Sequence, residues 1–393
     1  MRVQSANDKL KVLVLPSWYP TERYPVGGIF IQQQARALAS RPDVDLAVLF
    51  VDRTSVSAWL RGPKGMSMRC EEGVPVYRLP MPRVRVVWPF LYAAWTLFAY
   101  AGLRRRKVRP DLVHAHVAVP AGLAGALIKL LWRTPLVLTE HTGPFSTLMR
   151  NRPAALATGL AIRRADRVVA VSAALRDQIT SYPRLRRPID VIPNLVNMHE
   201  FTVKSSTQRR EGPARLLFVG EMLTSIKGVD YLIGAVSVLR KRGVEVTLDL
   251  VGDGRNRREY ETLSRRLRVA DVCRFHGALP HEQVAGMMPN FDVLVLSSLA
   301  ETFGIVVVEA LASGVPVVAT RCGGPEEVVT PDLGVLVEKA NSAAIADGIV
   351  DVLSRPGDFP PAHLRRVVEE RFGPESITAR LVELYRQIDG RRD

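Results

Sequence analysis

A chain of 393 residues exceeds one ordinary domain, and at 47% apolar and 24% charged it has a globular composition with material for two cores. Lys and Arg number 54 against 39 Asp and Glu, and a net charge of +15 calls for an anionic partner: nucleic acid, acidic lipid or a phosphorylated substrate. Cys70, Cys273 and Cys322 are odd in number and far apart, which excludes a disulfide framework and a Cys-rich metal site and fits a reducing cytoplasm.

Met1 to Lys9 is polar and leads into an apolar strand, Leu10 to Leu15. That strand is too short for a signal-peptide core, and no small-residue cleavage site follows it. The loop Pro16-Ser17-Trp18-Tyr19-Pro20 runs on to Gly27-Gly28, just before a predicted helix over Ile29 to Ala39. Glycines there let the backbone approach a bound group and turn N–H groups toward a phosphate, although an ordinary tight turn would use the same pair. Strands over Val44 to Val51 and Val74 to Leu79 come next.

Val86 to Leu103 reads VVWPFLYAAWTLFAYAGL and is followed by Arg104-Arg105-Arg106-Lys107. Three readings compete. It is a buried helix with a solvated basic end; or an interfacial segment with Trp88, Tyr92, Trp95 and Tyr100 at headgroup depth and the arginines on anionic lipid; or a transmembrane helix. The last is disfavoured by borderline length, by Pro89, and by flanking strands that belong to one soluble domain. A short strand over Leu112 to Ala115 and a helix over Ala121 to Trp132 follow. His114 and His116 straddle that strand end, as a metal pair or, preferably, as packed side chains. Strand Leu136 to Leu138 runs into Thr139-Glu140-His141-Thr142-Gly143, which puts His141 at the carboxyl edge of the first sheet. Arg167 to Val171 and Asp190 to Ile192 complete the block. Continuous apolar runs of this kind suit parallel strands buried on both faces.

Phe201 to Pro213, FTVKSSTQRREGP, is polar and charged and reads as a linker. A second alternation then begins: strand Arg215 to Val219, helix Gly228 to Lys241, strand Glu245 to Val251, helix Glu259 to Leu267, strand Val272 to Phe275, helix His281 to Met287, strand Phe291 to Leu296, helix Ile305 to Ser313 and strand Pro316 to Thr320. A last helix spans Pro374 to Ile388. Two doubly wound α/β units joined by a linker imply a cleft between them, a favoured ligand site.

In the second block, strand Arg215 to Val219 gives Gly220, then a loop to Lys227-Gly228 at a helix start. A lysine there can neutralise a phosphate as a point charge, although it could equally be a surface lysine. Gly252-Asp253-Gly254 is a further strand-end turn, and His276 and His281 flank a loop. The most informative segment is Glu301-Thr302-Phe303-Gly304-Ile305-Val306-Val307-Val308-Glu309. It puts a polar loop at the carboxyl end of a strand, where open α/β sheets bind ligands, and helix N–H groups just beyond it. Glu309 sits on an otherwise apolar helix, so its carboxylate needs a partner, and the two hydroxyls of a nucleotide ribose would be one. No nucleophile elbow, Walker phosphate loop or dinucleotide fingerprint is present, which weakens hydrolase, kinase and dehydrogenase readings.

Taken together, FVGEMLTSIKGVDYLIGAV, LVGDG, FHGALPHEQV and SSLAETFGIVVVEALASGVPVVATRCGGPEEVV, with Glu-x7-Glu spacing in the last, resemble family 4 of the retaining glycosyltransferases of GT-B architecture. The amino-terminal Gly-Gly loop, DLVHAH, LTEH, ADRVVAVS and VIPN follow the family's order, so the resemblance covers nearly the whole chain. It implies two facing Rossmann-like domains with an interdomain cleft: an acceptor-binding domain over residues 1–200, a nucleotide-sugar-binding domain over 212–373, and a helix over 374–393 packing back on the first. Asp43-Val44-Asp45 is similar to the metal-diphosphate triplet of another class of sugar transferases, but it lies where a helix-to-strand turn enters an apolar strand and reads as a turn.

The resemblance assigns roles residue by residue. Glu309 would accept hydrogen bonds from the ribose of a UDP- or GDP-linked sugar. Glu301 would face the donor sugar, with amides of Phe303, Gly304 and Ile305 meeting sugar hydroxyls or the diphosphate. Lys227 would balance the diphosphate's charge, Gly27 and Gly28 would approach it from the other domain, and His141 would contact the donor sugar. Gly277 to Leu279 would wall the base pocket. One departure stands out: the family's usual arginine after the Gly220 turn is Glu221 here. A neighbouring basic residue such as Arg255 could compensate, or Glu221 could point away and bind an acceptor.

The implied reaction retains anomeric configuration, by a front-face route in which the leaving phosphate helps deprotonate the acceptor, with neither metal nor cofactor. A nucleotide-sugar epimerase shares the architecture, but the Glu-x7-Glu segment with the Lys227 loop favours transfer. A nucleic-acid-binding protein fits the charge, yet the basic runs fall on several elements and no recognised module accompanies them, so nucleic acid is not expected as a partner. The expected partners are a nucleotide-sugar, a glycan or lipid-linked acceptor of cell-surface polysaccharide or glycolipid synthesis, and an anionic membrane surface under Val86 to Lys107. The expected location is the cytoplasm, peripheral on the inner face of the membrane.

Overall fold

In the computed structural model, which describes residues 9–83, 88–206 and 211–390, the apolar runs become strands of two sheets. The first sheet is built from β1 (Leu10–Pro16), β2 (Val44–Thr54), β3 (Ser67–Glu71), β4 (Val74–Pro82), β5 (Leu112–His116), β6 (Leu136–Glu140), β7 (Arg167–Ala170) and β8 (Asp190–Val191). Their order is β3-β4-β2-β1-β5-β6-β7-β8. All neighbours are parallel except β3 and β4, which form an antiparallel edge hairpin. Helices α1 (Ile29–Ala39), α2 (Val56–Arg61), α3 (Trp88–Arg105), α4 (Leu123–Trp132), α5 (Ser146–Met149), α6 (Arg152–Arg164) and α7 (Ala173–Thr180) connect the strands.

The second sheet comprises β9 (Ala214–Val219), β10 (Val246–Val251), β11 (Cys273–Gly277), β12 (Val293–Leu296), β13 (Val317–Thr320) and β14 (Gly334–Val337). Its order is β11-β10-β9-β12-β13-β14, parallel throughout. Counted from its first strand this is the doubly wound order 3-2-1-4-5-6, whose direction reverses between β9 and β12. Its helices are α8 (Val229–Lys241), α9 (Arg257–Arg266), α10 (His281–Met287), α11 (Ile305–Ala312), α12 (Pro325–Val328), α13 (Ser342–Ser354) and α14 (Pro361–Phe372), and α15 (Pro374–Asp389) closes the chain.

The chain divides into two units, Met1–Leu195 with Ile377–Asp393, and Val196–Ser376. In the first, Ile377, Leu381 and Tyr385 of α15 join Val12, Val14, Ile31, Leu38 and Val48 in one apolar core. The stretch expected as a linker is a correction. Phe201 is buried, its carbonyl accepts from Arg365 Nη1 at 2.7 Å, and Lys204 Nζ donates to the Phe291 carbonyl and to Asp292 Oδ1 at 2.9 and 3.0 Å. Its polar composition reflects these contacts within the second unit; residues 207–210 of the stretch lie outside the described residues.

The aromatic segment forms α3, with Val86 and Val87 outside the described residues. Tyr92, Thr96, Tyr100 and Leu103 are buried, whereas Phe90 and Phe98 are 53% and 72% exposed on another face. Tyr92 Oη donates to the Pro16 carbonyl at 2.8 Å, tying α3 to the end of β1. Among the described residues no helix is long and apolar enough to cross a membrane. Asp43 lies in the turn before β2, its carboxylate bonded to Arg41 at 3.0 Å and Arg386 at 2.6 Å.

Candidate functional site

The reversal of strand order in the second sheet leaves two loops side by side, one leaving β9 and one leaving β12. Three backbone-level contacts join them. Ser297 Oγ donates to the Lys227 carbonyl at 2.9 Å, and Leu299 N donates to the Ile226 carbonyl at 2.7 Å. Gly228, at φ 59°, turns the chain into α8 so close to β12 that a Cβ would lie 2.1 Å from the Ser297 carbonyl oxygen. Only glycine suits both that dihedral and that approach. The result fixes Lys227 at the reversal point, where its Nζ lies 2.6 Å from Glu301 Oε2. Both side chains are part-buried, so the pair is only partly screened by water.

Glu301 is held at its backbone as well. Its N–H donates to the Cys322 carbonyl at 3.0 Å, and its own carbonyl accepts from Gly324 N at 2.9 Å. The loop then passes Thr302 and buried Phe303, whose ring meets Phe372 at 5.7 Å, and enters α11 through Gly304 at φ 80°. In the first turn Val307 N already donates to the Gly304 carbonyl at 2.9 Å, whereas the N–H groups of Ile305 and Val306 precede any carbonyl the helix could offer them and are suited to an anion or sugar hydroxyls.

Glu309 lies one turn into α11 and is buried. Its Oε1 accepts from His281 Nε2 at 3.0 Å, and His281 Nδ1 lies 3.3 Å from Glu200 Oε2. Burial opposes protonation of His281, but the hydrogen bonds it donates to Glu200 and Glu309 outweigh it and push its pKa up to about 10. The sequence marks His281 only as a loop-flanking residue and does not mark Glu200. A buried carboxylate on an apolar helix requires a partner, but its supplier lies 28 residues away, out of reach of local pattern. Gly277 ends β11 at φ 76°, and its carbonyl accepts from Gly252 N at 2.8 Å; Leu279 lies partly exposed between it and α10.

Glu221 is exposed, while Met222 beside it is buried. Arg255 is directed at the same loop, with Nε donating to the Leu223 carbonyl at 2.7 Å. Arg255 is thus beside the Gly220 turn, bonded through one of its nitrogens.

In the first unit, the strand order reverses around β1 and β5, and again the departing loops are joined. Ser17 N donates to the His116 carbonyl at 3.2 Å, and Ala121 N to Ser17 Oγ at 3.2 Å. Gly28, at φ 76°, caps α1 with the Trp18 carbonyl against it. Phe30, two residues on, packs its ring 4.7 Å from that of His141. His141 Nε2 and His116 Nδ1 share a hydrogen bond of 3.0 Å. His114 in turn bonds Thr139 Oγ1 at 2.7 Å and Tyr385 Oη at 2.6 Å. Desolvation holds all three imidazoles neutral: His114 and His141 are lowered to about 3, and His116 well below 6.5. Buried Glu140 accepts from the backbone N–H groups of Ala118, His141 and Thr142 at 2.8, 2.9 and 2.8 Å, fixing the loop that carries His141. Burial raises its pKa, against those hydrogen bonds. Sequence reasoning missed Glu140 as a structural anchor, although an acidic residue ending an apolar strand was a visible signal. Among the described residues, no group of three or more His, Cys, Asp or Glu side chains is disposed to hold a metal.

Two family models match the chain: Glycosyltransferase Family 4 over residues 27–200 and Glycosyl transferases group 1 over residues 200–370. A glycogen synthase of Mycobacterium tuberculosis is 33% identical over 284 residues, covering 67% of each chain. A D-inositol 3-phosphate glycosyltransferase of Xylanimonas cellulosilytica is 31% identical over 314 residues, 72% of this chain and 73% of that protein. Among solved structures, the Anabaena protein HepE in complex with UDP and glucose superposes with a TM-score of 0.74 at 21% identity, covering 96% of this chain and all of that one (100%).

Proposed function

The chain belongs to the group 1, family 4 glycosyltransferases of GT-B architecture, and from that premise we propose that it moves a sugar, with retention, from a UDP- or GDP-linked donor to a glycan or lipid-linked acceptor. The observation that carries this reading is the 2.6 Å contact of Lys227 with Glu301 beside the N-terminus of α11. A cation and the N–H groups of Ile305 and Val306 at the helix start, side by side, suit a diphosphate that gains charge as it leaves. Glu309 takes the ribose, Gly277 to Leu279 the base, and Glu301 with the amides of Phe303 to Ile305 the donor sugar. Gly27 and Gly28 are assigned to the diphosphate, and His141 to the sugar. HepE, whose complex holds UDP and glucose, makes UDP-glucose the first donor to try.

In the proposed step, the bond between C1 and the diphosphate oxygen breaks. The acceptor oxygen bonds C1 on the same face, and its proton passes to the departing phosphate oxygen. Lys227 and the helix amides carry the developing charge, so the reaction needs no metal. The test is a panel of UDP- and GDP-sugars with glycan and lipid-linked acceptors, with and without a chelator, and with product configuration read by NMR. One donor should be turned over equally well with chelator, giving a product of the donor's anomeric configuration. An inverted product or chelator-sensitive turnover overturns that part of the reading, and release of an epimerised sugar without acceptor overturns transfer itself.

The acceptor side of the proposal is a membrane-seated one. Exposed Phe90 and Phe98 lie on α3, which ends in Arg104 and Arg105 and is followed by Arg106 and Lys107, and Arg53 lies over the Trp88 ring at 4.1 Å. Apolar rings beside a cationic cluster suit an anionic leaflet. Flotation with phosphatidylglycerol vesicles at low salt should carry the protein up, and Phe98→Ser should reduce it; no flotation rejects the membrane contact.

A further inference from the structure

Two residues outside the expected site, His281 and Glu200, converge on Glu309. His281 opens α10; Glu200 sits in the short helical turn Met198–Glu200; Glu309 projects from α11. The imidazole is bonded at both nitrogens, to Glu309 Oε1 at 3.0 Å and to Glu200 Oε2 at 3.3 Å. Each clamp is itself clamped. Asn197 Nδ2 donates to Glu200 Oε1 at 2.7 Å, and Phe201 meets the His281 ring edge-on at 5.8 Å. Arg365 bonds the Met198 carbonyl at 2.7 Å and the Ala312 carbonyl at 3.0 Å, joining the turn that carries Glu200 to the end of α11.

We propose that His281 is a positioning residue for donor binding, which, with Glu200 behind it, fixes the Glu309 carboxylate in the orientation that accepts a vicinal diol. The proposal rests on Glu309 being the ribose anchor and adds how that anchor is held and why it selects hydroxyls. His281 stays cationic at neutral pH because its two carboxylate partners outweigh the effect of burial. One cation between two carboxylates leaves the cluster with a single net negative charge. Such a cluster repels a phosphate and accepts hydrogen bonds from uncharged hydroxyls. The His281 contact uses Oε1, so Oε2 and the remaining lone pairs serve the diol. Without His281, the carboxylate regains rotational freedom and loses its preset direction.

The test is calorimetric titration with UDP and, separately, GDP, on the wild type, His281→Gln, Glu200→Gln, Glu309→Ala and the double variant His281→Gln/Glu309→Ala, each at temperatures where circular dichroism shows it folded. His281→Gln should weaken the nucleotide that binds the wild type by about tenfold, and Glu200→Gln by less, as expected for contacting partners. The double variant should bind no more weakly than Glu309→Ala, because His281 acts only through that carboxylate. In donor hydrolysis without acceptor, the loss in His281→Gln should fall on KM, with kcat within about twofold of the wild type. Wild-type affinity in folded His281→Gln, or a double variant weaker than Glu309→Ala by the full single loss, overturns the positioning role. If instead Glu309→Ala binds as the wild type does, the ribose-anchor reading fails first and the proposal with it.

Discussion

Lys227 Nζ reaches Glu301 Oε2 at 2.6 Å across the two loops that leave β9 and β12. These residues are 74 positions apart in the chain, and the reversal of strand order alone makes them neighbours. Paired in this way, the lysine is pre-oriented and its two remaining N–H groups can turn to a phosphate without crossing the loop. Lys227→Ala should lower turnover by about tenfold or more, the scale of losing about 1.4 kcal/mol of charge stabilisation. Glu309→Ala should do the same through donor affinity. Both are read as kcat and KM for the donor found by the panel. Unchanged kinetics in both folded variants would reject the assignment of this site.

The fold supplies a test of how that lysine is held. Gly228→Ala puts a Cβ 2.1 Å from the Ser297 carbonyl at φ 59°, whereas Gly243, at φ 74°, has nothing within 4 Å of an added Cβ. Gly243→Ala should therefore cost only the dihedral strain of about 1 kcal/mol. Gly228→Ala must add displacement of the Lys227 loop, so it should be the less stable variant and the only one with depressed kcat. Thermal melts alongside donor kinetics decide it. Equal melting temperatures and equal turnover would mean that the loops are not tied at Gly228.

Much of this arrangement was legible in the sequence. Buried parallel strands read as continuous apolar runs, and glycine turns marked the carboxyl ends where loops form. What escaped was either short and exposed or non-local. Strand β3, Ser-Met-Arg-Cys-Glu, is exposed along most of its length and has no apolar alternation, so only its pairing with β4 defines it. Strand β14 is four residues long and opens on a glycine. The linker assignment failed because Lys204 looked like solvated charge, yet it bonds Asp292, 88 residues away. In the same way Glu309 announced that it needed a partner without naming His281, since the partner is set by how α10 and α11 are brought together and not by spacing.

His281 makes the second unit sensitive to alkali. Its ordinary value is 6.5, and in the folded state its carboxylate partners, prevailing over burial, raise it to about 10. A raised folded-state pKa contributes stability that is complete below about 6.5, where the unfolded chain is also protonated, and is lost as pH rises through about 10. Wild type and His281→Gln should therefore differ most at pH 6.5 or below and converge toward pH 10. Urea unfolding followed by circular dichroism at a series of pH values measures this. A constant difference across that range would mean that the imidazole is not charged in the fold.

The first unit should respond to acid with the opposite sign. His114 and His141 are lowered to about 3 and His116 well below 6.5, chiefly by desolvation. Neutral imidazoles of this kind contribute stability that is present above 6.5 and lost as pH falls toward about 3, because the unfolded chain takes protons that the fold refuses. Glu140 opposes the trend, since burial raises its pKa above 4.5, but it is present in wild type and variant alike, so comparing the two isolates the histidine. All five tryptophans, Trp18, Trp59, Trp88, Trp95 and Trp132, lie in the first unit, so their fluorescence follows its unfolding. His114→Gln loses bonds to Thr139 and Tyr385 and should be less stable at pH 7. It should nevertheless have a shallower acid slope, by about 1.4 kcal/mol per pH unit, because one proton of difference between folded and unfolded chains is gone. The slope separates a neutral buried histidine from mere loss of packing, which would lower stability equally at every pH, and equal slopes would mean that His114 is already protonated in the fold.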